Sequence, residues 1–118
     1  MLLAATDPAQ PYGASLPWPE SAGRPARQAG AHVVLIDGVP AVYVERGGHA
    51  LVTFDRTGED HRWAEVIKDL AMSGRYRNLE IRKIDGARVA ESPHAAVLTD
   101  AGFTDGYKGL TWRPSRAR

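Results

Sequence analysis

The chain has 118 residues, 43% of them apolar and 25% charged, enough for one domain with its own core and far from the charge-rich compositions that stay disordered. Fifteen basic residues against 14 acidic ones leave a net charge of +1, so a surface for nucleic acid must come from local clustering. Cysteine is absent, which excludes disulfide frameworks, thiolate nucleophiles and cysteine-ligated zinc; with no signal peptide and no run of about 18 apolar residues, a soluble cytoplasmic protein without a membrane partner is expected.

Residues 1–19 form an apolar arm that carries Leu2, Leu3, Tyr12, Leu16 and Trp18, yet Pro8, Pro11, Pro17 and Pro19 interrupt it and neither helical nor strand periodicity appears. Residues 20–30 ("ESAGRPARQAG") offer almost nothing to bury and read as a flexible connector. The compact domain is expected over 31–113. Its first segment, "AHVVLIDGVPAVYVERGGHALVTF", gives three β-rich runs. The first two are joined by Asp37-Gly38, a pair suited to the positive φ angles of a type I′ turn, and Gly47-Gly48 marks the next reversal. The second run is apolar on both faces, so it should be covered on both sides. Pro40, unable to donate to a ladder, belongs at the strand start or an edge.

"EDHRWAEVIKDLAMSGR" follows as a helix, because Trp63, Val66, Ile67, Leu70 and Ala71 form one stripe at helical spacing. Asp60 suits its N-cap and Gly74 the position past its end. "NLEIRKIDGARVAES" predicts a second hairpin about Asp85-Gly86, with Glu80, Arg82 and Lys83 exposed. Ser92-Pro93 opens a second helix that Gly102 stops. A last strand, "YKGLTWR", precedes a basic tail, 114–118. The repeated Ile-Asp-Gly at 36–38 and 84–86 admits a duplicated unit, but a three-residue match is weak evidence for one and hairpin turn chemistry is the favoured explanation. The order β-β-β-α-β-β-α-β predicts an α+β fold: a mostly antiparallel, partly open barrel-like sheet with two packed helices.

Neither a phosphate-binding loop with its lysine nor a Gly-x-Gly-x-x-Gly fingerprint is present, so no cofactor is expected on this chain. His32, His49, His61 and His94 are scattered without metal-ligand spacing, and no metal site is expected. The serines stand in connector, cap or tail contexts rather than in a nucleophile elbow. Asp100 and Asp105, flanking "AGFT", are the candidate catalytic carboxylates, although a tight turn at Asp105-Gly106 is the favoured explanation of the latter. Basic residues cluster twice: Arg75, Arg77, Arg82, Lys83 and Arg88, then Lys108, Arg113, Arg116 and Arg118. Both clusters suit phosphate contacts or an ordinary solvated face. Trp112 and Tyr107 are candidates for stacking on unpaired bases, with core packing the alternative for Trp112.

Taken in order, "LAATDPAQPYGASLPWP", "GAHVVLIDGVPAVYVERGGHALVTF", the helix ending at "SGR", and "LTDAGFTDGYKGLTWR" resemble the extreme C-terminus of Lhr-type proteins, the large helicase-related superfamily 2 helicases of bacteria. The resemblance implies a terminal piece of a much longer ATP-dependent 3′–5′ DNA translocase active in DNA repair. Its ATP- and magnesium-binding motor and its winged-helix module would lie upstream, with Met1 not the natural start. The 1–19 arm would then pack on that preceding module and be orphaned here. Partners implied through the parent are single-stranded DNA or an RNA–DNA hybrid. The family's C-terminal region is similar to winged-helix alkylpurine DNA glycosylases, but their catalytic glutamine motif has no counterpart here. Three readings follow: a non-catalytic accessory domain, part of a glycosylase-like module acting on damaged or uracil-containing DNA, or an assembly module that binds neighbouring winged helices or another copy of itself.

Overall fold

Both Asp-Gly turns form as expected, with φ of 53° at Asp37 and 81° at Gly38, and 55° at Asp85 and 84° at Gly86. Positive φ at both central residues is the type I′ geometry whose twist matches that of the flanking strands. The computed structural model describes residues 1–19, 21, 23, 25–54, 61–73, 79–106 and 108–112. Along the chain these comprise strands β1 (Leu2–Ala4), β2 (His32–Ile36), β3 (Val39–Val44) and β4 (Ala50–Thr53), then helix α1 (Arg62–Met72). Strands β5 (Glu80–Ile81), β6 (Lys83–Ile84) and β7 (Ala87–Arg88) follow, then a 3₁₀ turn (Val89–Glu91), helix α2 (Ala95–Ala101), and strands β8 (Thr104–Asp105) and β9 (Leu110–Thr111).

The strands make two open sheets, one ordered β1-β2-β3-β4-β6-β7 and the other β5-β9-β8. Every pairing is antiparallel except β4 with β6. The fold is therefore α+β with two helices, as expected, but the sheets stay open and do not close into a barrel. The reason lies at Arg82. Leu79, Ile81 and Ile84 are all buried, so the two-residue alternation breaks between Ile81 and Ile84. The chain bends there, and the N–H groups of Arg82 and Lys83 both donate to the His49 carbonyl, at 2.8 and 3.2 Å. Two residues facing one is the signature of a bulge. The single strand expected over this stretch thus divides between the two sheets.

Helix α1 lays its stripe on one face of the large sheet. Trp63, Ala64, Ile67 and Leu70 are buried with Val34, Ile36, Val42, Val44 and Leu51 of the strands and Leu98 of α2. The expected caps Asp60 and Gly74 lie outside the described residues. Before α2, the Ser92 hydroxyl accepts the His94 N–H at 3.1 Å, and Gly102, at φ 120°, ends the helix as the sequence predicted. Pro40 sits where the β2–β3 register shifts, the kind of irregularity that tolerates a missing donor.

The other face of the sheet answers for the arm. Alternation along β2, β3 and β4 leaves Val33, Leu35, Tyr43, Val52 and Phe54 pointing away from the helices. They form a second core with Ala5 and Ala31, against which Leu3, Tyr12 and Trp18 pack. The arm, expected to be orphaned without a preceding module, is instead the cover of this face. β1 pairs with β2 from Leu2↔Val34 to Ala4↔His32, and Trp18 lies parallel to Phe54 at 6.3 Å and edge-on to Tyr43 at 5.7 Å. The loop after β1 is closed by Gln10, whose buried amide Nε2 donates to the carbonyls of Ala5 and Tyr12 at 2.9 and 3.1 Å. In the stretch read as a connector, the Arg27 guanidinium donates to the carbonyls of Thr6, Asp7, Gln10 and Tyr12, and the Tyr43 hydroxyl donates to Ala26 O at 2.9 Å. Apolar content gave no sign of this tether, because it is built from one guanidinium and a set of main-chain carbonyls.

Candidate nucleic-acid interface

Residues distant in sequence meet where the small sheet abuts α2. The β8–β9 hairpin can seat against β5 only because residue 109 is glycine: a Cβ there would stand 2.1 Å from Ile81 O and 2.9 Å from Arg82 Cα. That approach places Asp105, Gly106 and Lys108 opposite β7, the 3₁₀ turn and α2. An open cleft of about 490 Å³ lies between them. Arg82, Arg88 and Lys108 line it, together with Asp105, Thr99 and the small side chains Ala90, Ala95 and Ala96.

Of the residues singled out from the sequence, these three cations and Asp105 are brought together. Lys83 is exposed on β6, directly across the ladder from Arg88, outside the cleft lining. Asp100 lies apart, in a groove of about 160 Å³ between the two helices with His61 and Glu65. The structure therefore does not pair the two candidate carboxylates. Trp112 is half-buried against the main core, beside Gly102. Arg75, Arg77, Tyr107, Arg113, Arg116 and Arg118 lie outside the described residues.

Acidic neighbours temper the cations unequally. Arg82 Nε bonds Glu80 Oε1 at 2.8 Å, and the Glu80 side chain is only 14% exposed. That bond, helped by the Lys108 main-chain N–H at 3.3 Å, holds the Glu80 carboxyl below its ordinary range against the opposing effect of burial. Arg88 pairs with Glu91 at 3.1 Å, but both side chains are largely exposed, at 80% and 58%. Such a pair contributes little, about 0–1 kcal/mol, and exchanges readily for another anion. Arg82 is therefore held, whereas Arg88 and Lys108 are the exposed charges of the cleft. Glu80, expected from the sequence to be an exposed charge, is instead nearly enclosed and braces β5, Arg82 and the β9 loop. Its spacing of two from Arg82 along a strand, on one side of the pleat, was the available signal. Among the described residues, no group of three histidine or carboxylate side chains is placed to hold a metal ion, and no helix is long and apolar enough to cross a membrane.

The arrangement defines an open α+β domain with a mixed-charge cleft at one end. No protein-family model matches the chain. It is 42% identical over 107 residues, 86% of its length, to the Lhr helicase/probable uracil glycosylase of Mycolicibacterium smegmatis. It is 30% identical over 115 residues, 93% of its length, to the Lhr helicase/uracil glycosylase of Escherichia coli. The chain spans 7% of the length of each of these relatives. Over most of its own length the chain is thus similar to one segment of these much longer Lhr-type helicases.

Proposed function

We propose that the chain is a non-catalytic C-terminal accessory domain of an Lhr-type helicase, and that its cleft contacts the phosphates of a nucleic-acid strand beside the winged-helix module. The observation that carries this reading is the convergence of Arg82, Arg88 and Lys108 on one cleft, from a chain whose net charge is only +1. Guanidinium groups bind phosphate oxygens in fork geometry and lysine acts as a point charge, so such a site would be tolerant of sequence. The motor chemistry, with ATP and magnesium, would belong to other parts of the parent. Titrating a fluorescent single strand with the wild-type chain and with a combined Arg88→Ala, Lys108→Ala variant, which leaves the Arg82–Glu80 brace intact, tests the reading. Binding should be lost in the variant while its fold persists by circular dichroism. Equal binding by both would leave assembly with neighbouring domains as the better reading.

A second reading is favoured by one observation: Asp105, a candidate carboxylate, stands in the same cleft as the cations, and both relatives carry uracil glycosylase in their names. A carboxylate next to a sugar could steady developing positive charge at the anomeric carbon. Abasic product from a uracil-containing strand, lost in Asp105→Asn, would establish it.

A further inference from the structure

We propose that the cleft seats a single unpaired nucleotide and selects guanine through Asp105. This rests on the reading that the domain contacts nucleic acid and adds to it a base preference. A volume of about 490 Å³ falls within the range of small-molecule sites, about 300–1,000 Å³, and suits one nucleotide rather than a duplex groove. Ala90, Ala95 and Ala96 present short apolar side chains along one side, a surface on which a planar ring can lie. Arg88 and Lys108 stand in the same lining, where they can take the phosphate. The Asp105 carboxylate has no hydrogen-bond or ion-pair partner among the described residues.

An ionised carboxylate only accepts. Guanine presents two parallel donors, N1–H and the N2 amino group, to its two oxygens. Cytosine and adenine offer one amino group beside a ring-nitrogen acceptor. Uracil and thymine offer a single N3–H flanked by two carbonyl oxygens that the carboxylate repels. These edges are open to a protein only when the base is unpaired. The cleft should therefore rank guanine first and uracil last, the reverse of what a uracil-processing pocket requires.

The 118-residue chain is titrated, by amide chemical-shift changes, with guanosine monophosphate, uridine monophosphate and inorganic phosphate. A labelled oligothymidine is compared with the same strand carrying one central dG. Guanosine monophosphate should bind at least about fivefold more tightly than the uridine nucleotide, as a bidentate base contact implies, and more tightly than phosphate. Asp105→Asn, whose amide can both donate to and accept from uracil, should remove the preference without lowering the thermal midpoint. A preference shown by both the free nucleotide and the dG strand supports a base within a strand. A preference shown by the free nucleotide alone supports the pocket with a free guanine nucleotide as ligand. Equal binding of the two nucleotides overturns the proposal, and so does tighter binding of the uridine nucleotide. If the oligothymidine still binds in the equal case, the phosphate-contact reading stands without it; if no strand binds at all, both fail.

Discussion

Replacing Trp18 with alanine tests whether the arm is an integral layer of this domain. The side chain is half-buried and meets three rings, Tyr12 at 6.1 Å, Tyr43 at 5.7 Å and Phe54 at 6.3 Å. Each aromatic pair contributes roughly 0.5–1.5 kcal/mol beyond the area it buries. Truncating a fully buried tryptophan costs about 3–5 kcal/mol. With the indole only partly enclosed, about 2–3 kcal/mol is expected for Trp18→Ala. For a domain of this size each kcal/mol corresponds to about 4 °C in midpoint, so thermal unfolding followed by near-ultraviolet circular dichroism should show a fall of about 8–12 °C. Leu16→Ala, at a side chain 44% exposed in the same arm, should change stability by no more than about 0.5 kcal/mol. A Trp18→Ala midpoint within about 2 °C of wild type would mean that the arm does not cover the second face in solution.

Two further outcomes separate roles that look alike in the sequence. Asp37 and Asp85 occupy equivalent left-handed turn positions. The Asp37 carboxylate accepts from Arg62 at 3.0 Å with both side chains largely exposed, a pair that contributes little, whereas the Asp85 carboxylate accepts Thr53 N–H, at 2.8 Å, and the Thr53 hydroxyl, tying β4 to the second hairpin. Chemical denaturation should find Asp85→Ala destabilised by about 2–4 kcal/mol, from backbone strain plus two lost hydrogen bonds, and Asp37→Ala by only about 1 kcal/mol. His94 packs edge-on against Trp63 at 5.9 Å; burial, reinforced by His61 and opposed by Asp85, pushes its pKa below the ordinary 6.5. The unfolded chain then binds the proton more tightly than the folded one, so acidification favours unfolding: this loss of stability begins below about pH 6.5 and levels off below the folded pKa. Denaturation midpoints measured between pH 7.5 and 5 should fall less steeply for His94→Gln than for wild type.

Local chemistry made some of the molecule legible and hid the rest. The Asp-Gly turns, the Trp63–Leu70 stripe and the Gly102 stop are each decided within a few residues, and periodicity or turn preference reveals them. Apolar character on both faces of β3 also announced that two layers must cover it. That one of those layers was the arm could not be read, because Tyr12 and Trp18 are placed by non-local contacts with Tyr43 and Phe54 and by the Arg27 clasp, none of which leaves a period. The division of the 79–84 strand was similarly hidden, being set by where Ile81 and Ile84 must both be buried. At the cleft, composition suggested the cations but not their convergence. That depends on the close approach at Gly109, and Gly109 looked like an ordinary glycine in a strand.

The most direct test of the nucleic-acid reading is the salt dependence of single-strand binding. For three phosphate contacts, log affinity should fall against log salt with a slope of about 2, since each contact on a single strand contributes about 0.7. Between 50 and 200 mM salt that amounts to a loss of roughly 18-fold. Arg88→Ala should lower the slope to about 1.4, roughly a sevenfold loss over the same range. A slope near zero for the wild-type chain, or one unchanged in Arg88→Ala and Lys108→Ala, would contradict phosphate contact at this cleft.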